Sequence, residues 1–131
     1  MQHDYIKRQI KDFTKVLAYL LGLAQKGELA EVAVEIDGIL QTDLGLRPDF
    51  RTVELLELYE SGKLDFEGVK QLVALLKLRA EALEQEDPEQ ARLSAEKALA
   101  VIQQLEERSG TFDFELDSWR SALEGLRDGL L

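Results

Sequence analysis

The chain has 131 residues, 45% hydrophobic and 32% charged, with two prolines and no cysteine. That is one domain's worth of chain with a core of its own, and it excludes disulfides, thiolate metal sites and a cysteine nucleophile. Its 26 acids against 16 lysines and arginines give a formal net charge of −10, which argues against nucleic acid as a partner because phosphate binding needs accumulated positive charge.

From the N-terminus, Ile6, Ile10, Phe13, Leu17, Leu20 and Ala24 alternate four- and three-residue steps, which predicts a first helix over about residues 4–26. Its uncharged run, residues 16–25, is well short of the roughly 20 apolar residues that cross a bilayer, so a cytoplasmic protein with no membrane partner is expected. Lys7, Lys11 and Lys15 form a basic stripe with Arg8 beside it. The plain reading of the stripe is a solvated face that pairs in part with Asp37 and Asp43 of the returning helix. The sharper reading is a docking surface, with Tyr5, Lys7, Arg8, Lys11 and Lys15 as its candidate residues. Gly27 is the natural turning point, because glycine takes up the left-handed conformation that ends a helix. Leu29, Val32, Ala33, Ile36, Ile39 and Leu40 then predict a second helix over about residues 28–43. A junction this short folds the two helices into an antiparallel hairpin spanning 4–44.

Gly45 to Pro48 break the pattern. A short bridging helix over 50–60 is expected next, capped by Asp49 or Thr52 and ended by Ser61-Gly62. Asp65 caps a fourth helix in which Phe66, Val69, Val73, Leu76, Ala80 and Leu83 share a face that Leu72 and Leu75 widen, the mark of a central helix. Asp87-Pro88-Glu89-Gln90 is the clearest helix start in the chain, with an acid at the cap and proline at the first position. The alanines Ala91, Ala95 and Ala98 on the following face predict close approach to a neighbour. These two helices form a second hairpin over 65–108.

Phe112, Leu116, Trp119, Leu123, Leu126 and Leu130 mark a last helix over 112–129. Phe112, Trp119 and Leu123 are candidates either for a cap over the open end of the hairpins or for a dimer surface. Asp113, Glu115 and Asp117 lack the glycine and the distal glutamate of a calcium loop, so helix-start acids are the expected role and no metal site is assigned. The single histidine, His3, lies at the terminus, out of reach of a Ser-His-Asp relay or a histidine metal cage. No glycine-rich loop cradles a nucleotide, so no cofactor is expected, and neither is an enzyme.

The first hairpin resembles a tetratricopeptide repeat (TPR), with Val16, Tyr19, Leu20, Leu23, Gly27, Leu29, Val32, Ile36 and Ile39 on its apolar, glycine and small-residue positions. Leu76, Ala80, Leu83, Ala91, Ala95 and Ala98 make a looser second copy. The chain also looks like a family of uncharacterised small bacterial helical proteins, through Asp4-Tyr5-Ile6-Lys7-Arg8-Gln9-Ile10, Leu21-Gly22-Leu23 and Leu44-Gly45-Leu46. These resemblances imply an all-α fold of about six helices, with antiparallel hairpins in a TPR-like right-handed stack. The expected function is a non-enzymatic protein–protein interaction module, with an obligate homodimeric scaffold as the alternative and a carboxylate-based enzyme as the more remote one.

Overall fold

The computed structural model describes residue 10, residues 12–47 and residues 49–131. Within them lie six helices: Phe13–Gln25 (α1), Leu29–Leu44 (α2), Thr52–Glu60 (α3), Phe66–Leu83 (α4), Pro88–Ser109 (α5) and Phe114–Gly129 (α6). No strand occurs among the described residues, and the fold is all-α.

The helix ends follow from local chemistry. A helix start leaves amide donors without an intrahelical partner, and a short acidic side chain just outside can accept from one of them. Asp65 accepts from the Gly68 amide at 2.8 Å, Asp87 from Gln90 at 3.3 Å and Asp113 from Leu116 at 2.9 Å. Pro88 occupies the first turn of α5, where a missing amide costs nothing. At the other ends, Gly27 turns the chain with φ +79°, and the Glu28 amide reaches back to the Leu23 carbonyl at 3.0 Å. An L side chain at Gly27 would be strained whatever the space around it.

Three helix starts differ from the sequence expectation, the last of them that of α6, expected from residue 112 and found at Phe114 behind the Asp113 cap. The first helix does not run unbroken from residue 4. Asp12 sits in the left-handed region with φ +51°, which stops any continuous helix there, and α1 begins at Phe13. The periodicity misleads because Ile10 is buried all the same, in non-helical backbone whose amide donates to Gln71 Oε1 at 3.3 Å. The third helix starts at Thr52, capped by neither Asp49 nor Thr52. The Arg51 amide instead donates to Glu54 Oε2 at 3.1 Å, and Phe50 is buried just before the helix.

The helices pack in the order α1, α2, α4, α5, α6, each against the next, with α3 lying on α5. The α4–α5 hairpin has the most extensive interface, exceeding that of α1–α2. α4 is central, touching α2, α5 and α6 and burying ten of its own residues. Ala91, Ala95 and Ala98 are buried on the facing side of α5, where small side chains let the two helices approach. One continuous core runs from Ile10 through Leu20, Ile36, Leu72 and Ile102 to Leu123. A smaller cluster of Ala33, Leu83 and Ala91, with Leu130 against it, completes the far end. α1, α4 and α6 begin at a common end of the domain, where Ile10 meets Gln71 and Lys70 meets Asp113.

Candidate interaction surfaces

Of the basic stripe, Lys15 is exposed on α1, while Tyr5, Lys7, Arg8 and Lys11 lie outside the described residues. Asp37, expected to answer the stripe, is taken by another cation: Arg79 of α4 donates from Nε to Asp37 Oδ1 at 2.8 Å and from Nη2 to Oδ2 at 3.3 Å. Arg79 Nη1 also donates to Ser94 Oγ on α5. Arg79 and Asp37 are 13% and 27% exposed at their side chains, so this fork is partly desolvated and stronger than a free surface pair.

The fork borders a cleft of about 190 Å³ between α2, α4 and α5, closed by Asp49 and by Lys97 of α5. Lys97 Nζ stands 4.3 Å from the ring centroid of Phe50, a cation–π distance. Burial lowers its pKa from the ordinary lysine value, Asp49 works against that, and Arg79 adds to it. The cleft is lined by two cations and two carboxylates, of which Arg79 and Asp37 are paired. Sequence reasoning missed it, because its members come from three helices and a loop with no motif in common.

The C-terminal candidates separate. Leu123 is fully buried in the domain's own core, Trp119 is half-buried against it, and Phe112 is exposed. Trp119 is held by Lys70 of α4, whose Nζ lies 5.9 Å from the indole centroid. The same ammonium pairs with Asp113 at 3.2 Å and Glu115 at 2.8 Å. The Glu115 hydrogen bond does most to raise the Lys70 pKa, against the effect of burial, with Asp113 adding to the rise. Asp113 is held below the usual carboxylate range, first by the Leu116 amide and then by Lys70, with burial opposing. The acids at the start of α6 thus cap and dock that helix. Asp117 pairs with Arg120 at 2.6 Å, and Arg120 also reaches Glu106 of α5.

Among the described residues, large apolar side chains are exposed at both edges of the helix row, besides Val34, Val53 and Leu93. α1 carries a single charged residue, Lys15, in thirteen. It buries only Leu20 and Leu23, leaving Tyr19 54% and Leu21 45% exposed. At the other edge Phe112 and Phe114 are 59% and 84% exposed, and their rings meet edge to face with centroids 4.8 Å apart. Phe114 carried no expectation from sequence, and its place one residue after the Asp113 cap gives none, since Phe66 holds the same place after Asp65 and packs against the core.

Among the described residues no group of three or more histidine or carboxylate side chains is gathered to hold a metal ion, and no helix is long and apolar enough to cross a membrane. No family model, no curated protein and no solved structure matches the chain.

Proposed function

We propose that this chain is a non-enzymatic protein–protein interaction module, a TPR-like stack of helical hairpins working in the cytoplasm. The observation that carries the reading is the placement of the apolar surface. Among the described residues the most apolar helix is an edge helix packed mainly on α2, whereas the polar clusters are spent on joining helices. An exposed apolar helix edge on a charged domain is the kind of surface that partners cover. The common starting end of α1, α4 and α6 supports the stacked arrangement, since alternate helices of such a stack run the same way.

The test is photo-crosslinking from position 19, with a benzoyl-phenylalanine in place of Tyr19, in the native cytoplasm. Discrete adducts that disappear with Lys15→Glu, four residues before Tyr19 on the same exposed helix face, at unchanged far-UV circular dichroism, are the expected result. Adduct formation insensitive to Lys15→Glu overturns the reading.

A further inference from the structure

We infer that Lys97, in the cleft between α2, α4 and α5, is a site of Nε-acylation that takes a short acyl chain from an activated donor, an acyl phosphate or an acyl thioester. The cleft shares no residue with the α1 surface and serves a separate role.

The surroundings suit an acylated amine better than a charged one. Leu40 and Leu76 are buried beneath the cleft, and Leu93, 41% exposed, stands where it meets solvent, so much of the lining is apolar. Arg79 is already joined to Asp37 and to Ser94, a pairing that fixes the shape of the cleft and leaves little pull on a further ion. A lysine stem is ordinarily free to wander in solvent. Here the Phe50 ring, 4.3 Å from Nζ, holds its end beside the cleft. Burial lowers the Lys97 pKa and Arg79 adds to the fall, against Asp49 and Glu54. An amide carries no charge to desolvate, and its one N–H can stay over the ring as a weaker contact. About 190 Å³ has room for an acetyl or propionyl group but not for a long chain.

Only the unprotonated amine is a nucleophile. Its lone pair forms a C–N bond at the acyl carbon, the bond from that carbon to the phosphate oxygen or thioester sulfur breaks, and the leaving group departs with the electron pair. The proton shed by the amine passes to solvent, and nothing is oxidised or reduced. Lys70 is the internal contrast. Its side chain is also largely covered, yet Glu115 and Asp113 hold its ammonium charged.

The test treats the folded full chain at neutral pH with acetyl phosphate in one arm and a small acetyl thioester in the other. Conversion is kept low, and acetylation at each lysine is read by peptide mass spectrometry. Lys97 is expected to react roughly threefold or more faster than the exposed Lys63 and the paired Lys70 in at least one arm, and to lose that preference in urea. The arm that shows the preference identifies the donor.

A Lys97 rate no greater than that of Lys63 in both arms overturns the inference, and so does a preference that survives unfolding. Leu93→Trp fills the cleft from its exposed rim and is expected to slow Lys97 while leaving Lys63 unchanged. An unaltered Lys97 rate in that variant, at unchanged helical circular dichroism, also overturns it, since a lysine that is merely reactive would not respond to the cleft. If Leu93→Trp does not fold, an octanoyl thioester takes its place. It is expected to show no preference for Lys97, and a preference equal to that of the acetyl donor overturns the inference.

Discussion

Arg79 joins three helices through one guanidinium, to Asp37 of α2 on one side and Ser94 of α5 on the other. Removing the carboxylate leaves a partly buried cation short of its acceptor, which costs more than the pair itself contributes. Asp37→Ala is expected to lower stability by about 1–3 kcal/mol in urea unfolding. Asp37→Leu combined with Arg79→Met is expected to cost less than Asp37→Ala alone, because no unpaired charge remains. Lys70 and Asp113 give a pH dependence with a worked direction. The folded pKa of Asp113 lies below its ordinary 3.8, so its contribution is complete above that value and is lost as the pH falls through the folded pKa. The folded pKa of Lys70 lies above 10.5, so its contribution is complete below that value and is lost as the pH rises through the folded pKa. Urea midpoints followed by Trp119 fluorescence should therefore fall at both extremes. In Lys70→Met the alkaline fall should shrink, while the part of the acid fall due to the Leu116 amide persists.

The element boundaries most legible in the sequence were those written by a single cap. Asp65 and Asp87 each announce a helix within one turn, and α4 and α5 begin one residue after them, whereas the helix expected from residue 112 begins only behind the Asp113 cap. The start of α1 was not legible, since Ile10 keeps the apolar period whether its backbone is helical or not; only φ at Asp12 decides it. The Arg79 fork was hidden for another reason. Its partners lie 42 and 15 residues away, so the contact exists only once the register between helices is set. The alanine face of α5 was readable as a close contact, and Ala95 is fully buried in it. Ala95→Leu must force α4 and α5 apart or twist side chains off their rotamers, at about 1–3 kcal/mol. A drop in the thermal midpoint of Ala95→Leu, absent in an exposed control such as Ala122→Leu, is the expected measurement.

At the scale of the whole molecule the described helices form a row, with α4 packed from three sides and α1 and α6 at its ends. The sequence showed which helix faces are apolar but not which helices become edges, because that depends on α4 inserting between α2 and α5. With neighbours on three sides, α4 surrenders its backbone amides to solvent only when those neighbours part, whereas α1 needs only to lift off α2. Transferred to heavy water, the protein should take up deuterium in α1 peptides early and in α4 peptides last, with α6 between them. The burial of ten residues on α4 thereby becomes a clock: the order in which the helices acquire mass reads out the order in which the row comes apart.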